Sequence, residues 1–289
     1  MVRHILLLGC CAAIGFNARA ALVWQSTFDS TADGVVDIFD NDSGKAMIGS
    51  NSGGRQQIVS WDNTTNAYTP DKAGRPLGAT VSRDDSFSGL YEFNWSNLAQ
   101  TETQAYEAAG FLGTVGGTPQ TRQIMGTLLR HWKAGADYYV AVDLAVGGQG
   151  ATAFGYVQNS ACWLGTNPYA NDYKLAIGYD GSTHVLNLGL YDSSGTLMTG
   201  MSKNLYTEVP GLQQYSTPAV ELGLLQATHL GWSDYSGNLG DVPSVWNVDS
   251  LSYFNTADGA ALAATTVPEP TSILAIAVVT GASLLRRRR

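Results

Sequence analysis

Cysteine is nearly missing from this chain. Of three in 289 residues, Cys10 and Cys11 fall in an N-terminal stretch that reads as a leader, which leaves Cys162 alone. A single thiol cannot build a disulfide framework, so burial of apolar surface must hold the fold together. Cys162 reads as a small buried residue, because no histidine stands near it in sequence to activate it as a nucleophile. Histidine is scarce as well. His131, His184 and His229 are far apart and form no His-x-His or Glu-x-x-His pair, so the spacing signatures of zinc are absent. Gly-x-Ser-x-Gly, a Walker loop and a dinucleotide fingerprint are absent too. Glycoside hydrolysis with retention needs two carboxylates about 5–5.5 Å apart, which on one strand means a spacing of two or four residues. Glu92 stands alone, Glu102 and Glu107 are five apart, and Asp137 and Asp143 are six apart, so all of these read as solvated or hydrogen-bonded structural groups. No catalytic residue is expected, and the chain reads as a non-enzyme.

Positive charge is the next shortage. There are 16 basic residues against 24 acidic ones, a formal net charge of −8, and six of the arginines sit at the two ends. Removal of both ends takes those six and Glu269, which leaves the domain between them at −13. Such acidity excludes nucleic acid and anionic lipid as partners of the domain and favours solubility outside a cell.

The longest uncharged apolar runs lie at those ends. Met1–Ala20 begins with Arg3, continues through Ile5–Phe16 and closes on Ala18-Arg19-Ala20, the small-x-small pattern of a secretory signal cleaved after Ala20. A lipoprotein alternative, Leu7-Leu8-Gly9-Cys10, leaves an apolar core of only Ile5–Leu8, well short of the usual run of about 7–15 residues. At the other end Val267-Pro268-Glu269-Pro270-Thr271 leads into the uncharged run Ser272–Leu285 and stops at Arg286-Arg287-Arg288-Arg289. Thr271–Leu285 makes about 22 Å of helix against a hydrocarbon core of roughly 30 Å, a short transmembrane helix that snorkelling arginines and local thinning would assist. The terminal arginines hold that end in the cytoplasm and place everything before it outside. Pro268 and Pro270 keep the approach extended, which suits a segment that a peptidase reads.

The order Pro-Glu-Pro, apolar run, arginine block resembles the PEP-CTERM sorting signal of bacterial surface and secreted proteins. The resemblance implies an exosortase-type membrane peptidase as partner, with Pro268, Glu269, Pro270, Arg286, Arg287, Arg288 and Arg289 as the signal. It further implies transient anchoring in the inner membrane through the C-terminal helix before processing, then delivery to the cell surface or the extracellular space. Because that family is associated with exopolysaccharide production, extracellular polysaccharide is the implied ligand.

Between the ends the chain is divided as 21–255 for the ectodomain, 256–266 for an Ala/Thr-rich linker and 267–289 for the sorting signal, after the leader 1–20. Strands are expected at Leu22–Phe28, Gln56–Trp61, Leu90–Trp95, Tyr138–Val146, Tyr173–Tyr179, His184–Tyr191, Thr196–Met201, Ala219–Thr228 and Val245–Phe254. Asp180-Gly181-Ser182 and Asp192-Ser193-Ser194-Gly195 supply the turns of a meander. Ser96–Ala109 suits a short helix, Ile124–Trp132 is ambiguous between helix and strand, and Ala67–Ala79, with Pro70 and Pro76, reads as a surface connection. The pattern is all-β, an antiparallel two-sheet sandwich. Its length and strand density look like the concanavalin A-like lectin and glucanase jelly roll, often found as a laminin-G-like domain. The Glu-x-Asp-x-x-Glu strand of the glucanases of that superfamily is missing here, and no site residue carries over.

Two kinds of site remain as expectations. Asp29 after the first strand and Asp249 in the last would supply hard oxygen ligands to a structural calcium if the termini lie together, and Asp40-Asn41-Asp42-Ser43-Gly44 is a second candidate. No cofactor beyond that possible calcium is implied. For carbohydrate, the loop-like stretches holding Trp163 and Tyr169, and Trp232 and Tyr235, mix aromatic rings with amide and hydroxyl groups. Trp24, Trp95 and Trp246 are placed in the core. The expected function is that of an exported, non-catalytic β-sandwich that binds polysaccharide. The alternatives are a glycan hydrolase or lyase with a site assembled only in three dimensions, and a purely structural surface protein.

Overall fold

The computed structural model describes residues 21–29, 33–39, 47–60, 72–98, 105–113, 124–147, 154–212, 227–233 and 244–265. They form two antiparallel sheets packed face to face. The first runs in the order β14(Leu197–Asn204), β13(Val185–Asp192), β12(Tyr173–Asp180), β6(Phe87–Asn97), β16(Ser244–Phe254), β4(Arg55–Ser60), β3(Ile48–Ser52), with β1(Leu22–Ser26) also on β16. The second runs β10(Phe154–Val157), β9(Asp137–Gly147), β8(Ile124–Ala134), β7(Ala105–Gly113), β15(Ala227–Ser233), β5(Lys72–Val81), β2(Val36–Phe39), with β11(Cys162–Gly165) also on β9. Sequence neighbours β12, β13 and β14 form the meander that their Asp-led turns announce.

The alternation that marks each strand decides which side chains enter the core. Tyr91, Phe93 and Trp95 of β6 meet Trp246 and Val248 of β16 and Tyr173 of β12. Phe93 stacks on Trp246 with centroids 4.3 Å apart, and Trp95 tilts against Tyr173 at 4.9 Å. Tyr91 spans the layers, its hydroxyl lying 2.8 Å from Gly231 O and 3.2 Å from Gly110 O of the second sheet. Between the sheets Glu107 accepts from the indole N–H of Trp246, and His131 Nε2 lies 2.8 Å from the other carboxylate oxygen. Glu107 is therefore an interior structural group. Trp95 and Trp246 are core residues as expected, and Trp24 packs against the core while partly exposed.

On the outer face of the second sheet the registers bring Gly74, Gly231, Gly110 and Gly126 side by side across β5, β15, β7 and β8, with Ala145 of β9 next in line. A Cβ on Gly74 would sit 2.8 Å from Leu230 O and one on Gly110 2.5 Å from Met125 O, and on Gly126 or Gly231 it would overlap the carbonyl of Ala109 or Ala73. The row lets four neighbouring backbones approach where any side chain would hold them apart.

Several expectations change. Ala105–Ala109 belongs to a strand, because Ala105, Glu107, Ala109 and Phe111 alternate inward against the first sheet and outweigh the helical spacing of small residues. Ile124–Trp132 is strand as well. The stretch read as a surface connection contains β5, whose Ala73 and Leu77 enter the core; Pro76 is accommodated opposite His229, where the pairing of β15 with β5 is irregular. The segment read as a linker contains helix α1(Gly259–Thr265), whose Ala260 and Ala264 pack on Leu90, Ala176, Tyr191 and Phe254. Ser88 fixes it there, its hydroxyl donating to Thr256 O at 2.7 Å and accepting from Ala260 N at 2.9 Å. Among the described residues no helix is long and apolar enough to cross a membrane. The sorting signal and the leader lie outside the described residues.

Candidate functional site

The second sheet carries aromatic side chains outward at one end. Tyr138 and Val140 of β9 point into the core, so Tyr139 between them points out. Trp132 of β8 and Trp163 of β11 are both in register with Tyr139, which sets three aromatic residues in one row across three strands. With strands about 4.8 Å apart the row spans about 10 Å. The rings of Trp132 and Tyr139 stack with centroids 5.6 Å apart and planes 14° from parallel. Trp163 is 60% exposed, the most exposed large apolar side chain among the described residues. Its indole N–H donates to Asp137 Oδ1 at 3.0 Å, which fixes the ring although solvent surrounds it. Thr166 and Asn167, both exposed, follow on the same segment.

A buried polar cluster holds this edge in place. Asp143 is fully buried on β9 and accepts from Arg130 Nε at 2.7 Å and Nη2 at 3.3 Å, from Tyr156 Oη at 2.6 Å and from Asn159 N at 2.7 Å. Arg130 also donates to Asn159 O at 2.9 Å. Asn159 in turn donates to Gly200 O of β14 at 2.9 Å, so the turn before β11 is pinned to both sheets. The carboxylate has four donors and no free lone pair to offer a substrate. Burial, then the bond to Asp143, pushes the Tyr156 hydroxyl well above the usual tyrosine range, so it remains protonated at neutral pH. The guanidinium of Arg130 also lies 5.4 Å from the Trp132 ring. Its position explains how a buried arginine shapes a surface without reaching it.

The residues singled out in sequence meet different fates. Trp163 is exposed, but on a strand. Tyr169, half-buried within the 3₁₀ turn Pro168–Ala170, has its hydroxyl 3.3 Å from that of Tyr138. Trp232 is no surface residue: it lies in β15, is 1% exposed and packs edge-on against Tyr91 at 5.2 Å. Tyr235 lies outside the described residues, as does the acidic stretch 40–44. Asp29 and Asp249 both approach the turn between β3 and β4, Asp29 near Gly54 and Asp249 at Arg55. The cation there is the Arg55 guanidinium, whose Nε lies 2.5 Å from Asp249 and whose Nη2 lies 3.2 Å from Asp172. A shift of register between Val248 and Ser250 turns Asp249 toward it. Among the described residues no three His, Cys, Asp or Glu side chains gather as a metal site. Glu92 is likewise engaged, by Ser250 Oγ at 2.6 Å and Lys174 Nζ at 3.6 Å. Sequence reading missed Trp132 and Tyr139. Their signal was the alternation Arg130, Trp132 before Gly135 and Asp137, Tyr139 after it, which reads as a hairpin once a helix is ruled out.

No family profile matches the chain, and no curated protein resembles it significantly. Among solved structures it is similar to the CBM2 module of the evolved Dit of Lactobacillus casei BL23 phage J-1, with 14% identity, a TM-score of 0.46, and coverage of 82% of this chain and 97% of that one. It is similar to arcelin-5, a lectin-like defense protein from Phaseolus vulgaris, at 12% identity and a TM-score of 0.43, covering 80% and 96%. It is also similar to the exolytic PL7 alginate lyase AlyA5 from Zobellia galactanivorans, at 7% identity and 0.43, covering 74% and 86%. None of these likenesses transfers a residue or an activity to this chain.

Proposed function

We propose that this protein is an exported surface or matrix component, a jelly-roll sandwich of the concanavalin A-like kind, that binds polysaccharide at the row Trp132, Tyr139 and Trp163 without acting on it. The observation that carries the reading is Trp163, a largely exposed indole held in one orientation by Asp137. An aromatic face stacks on the apolar face of a sugar ring, and a fixed ring loses little entropy on binding. Export and release by an exosortase-type peptidase rest on the C-terminal signal Pro268-Glu269-Pro270 and the four arginines. The carboxylates of the aromatic face, Asp137 and Asp143, are bound to Trp163 and to four donors respectively, which favours binding over glycan cleavage.

The test is a polysaccharide binding screen of the purified protein, with and without calcium, followed by assay of each hit for released product. Binding without turnover that falls at least tenfold in Trp163→Ala, at unchanged Tm, supports the reading. Turnover would replace it with the glycan-lyase or hydrolase alternative, and silence with every polymer would leave a structural role.

A further inference from the structure

We infer that the aromatic face selects uncharged polysaccharides and rejects uronate or sulfated ones; this rests on the binding reading above and adds the chemistry of its ligand. Recognition of an anionic sugar requires a cation free to meet a carboxylate or sulfate. The arginine of this face, Arg130, spends its donors on Asp143 and Asn159 O, and its side chain is 9% exposed. Lys133 stands on the opposite parity of β8, with Nζ 5.2 Å from the ring of Tyr138, a core residue. Among the described residues, the charge that does reach the row is Asp137, half-buried and held against the Trp163 indole. An anionic chain stacked on that indole would meet a fixed negative charge beside it. The whole molecule repels such a chain as well, with its net charge of −8. The face thus offers rings and the carboxylate oxygens of Asp137 as acceptors, a set suited to hydroxyls.

The experiment compares affinity of the full chain for neutral polymers (a β-glucan, a xylan, a mannan) and for anionic ones (alginate, polygalacturonate, a sulfated galactan) at low and at physiological ionic strength. Trp163→Ala and Asp137→Asn are run beside the wild type. The expected result is binding of at least one neutral polymer, lost in Trp163→Ala and insensitive to salt, with no binding of the anionic set. In Asp137→Asn, which keeps an acceptor for the indole, the ratio of anionic to neutral affinity should rise about threefold at low salt and less at high salt, the size expected for one screened surface charge. Preference for an anionic polymer through Trp163 would overturn the selectivity and leave polysaccharide binding standing. Neutral binding untouched by Trp163→Ala, or no binding at all, would overturn the site itself.

Discussion

At Cys162, burial pushes the thiol up to about 11, so it is almost entirely protonated at neutral pH. The neighbouring residue Trp163 is exposed, yet Cys162 turns the other way, against the core. Adjacent residues of a strand face opposite sides, and here that alternation separates an inert thiol from a binding ring. Reaction with a disulfide reagent at pH 8 should be on the order of a hundredfold slower in the folded protein than in denaturant, from the thiolate fraction alone. Equal rates would show the thiol to be open and ionised. Asp137 and Asp143 make a similar contrast on β9. Both are structural acceptors, as their sequence context suggested, but one pins a surface tryptophan and the other is sealed behind four donors.

At the scale of elements, the turns of the meander are the most legible part of the chain. Asp180 accepts from Ser182 N at 2.9 Å, Ser182 Oγ at 2.7 Å and Thr183 Oγ1 at 2.8 Å, and Asp192 plays the same part for Ser194 and Thr196. The hydroxyl bonds from Ser182 and Thr183 hold the Asp180 carboxyl down to about 2, and those from Ser194, with the backbone at Thr196, lower Asp192 as well. A carboxylate held below its unfolded value stabilises the fold above that value and loses the effect as pH falls through the folded one. The loss therefore belongs to the window from about pH 4 down to about 2. Both residues are half-buried with their carboxyl groups at the surface turns, so solvent screening keeps it modest. Denaturant unfolding across this window should show a shallower fall in stability for Asp180→Asn than for the wild type; parallel curves would mean the turn bonds do not survive in solution. Helix α1 shows the opposite case. Residues 259–265 make a helix of only seven residues, too short to stand alone, and docking on Ser88 and Phe254 supplies what the local sequence lacks.

The whole molecule depends on two sheets coming close enough to share one core. Tyr91 bridges them, Glu107 of the second accepts from Trp246 of the first, and the glycine row lets β5, β15, β7 and β8 close up beneath. Gly126→Ala would press a methyl group onto Ala109 O, backbone that cannot rotate away. A loss of roughly 1–3 kcal/mol is expected, the usual cost of overpacking, read as a lower midpoint in urea. Gly53→Ala is the control for a general effect of losing glycine, because nothing lies near its Cβ position; the comparison allows for the left-handed backbone there. Equal stability of wild type and Gly126→Ala would show that the strands can part without loss.

The amino-acid sequence alone determined that the chain is all-β and antiparallel, where about half of its strands run, which aspartates close its turns and which tryptophans of β6 and β16 are buried. Those features depend on period-two alternation and on side chains bonding their own neighbours, and both are local. Only the tertiary structure decided that Trp232 is buried while Trp163 is exposed, that Asp249 pairs with Arg55, and that Trp163 joins the row of the hairpin neighbours Trp132 and Tyr139. Pairing between strands far apart in the chain does so, because it is made by backbone donors and acceptors that every residue but proline carries alike.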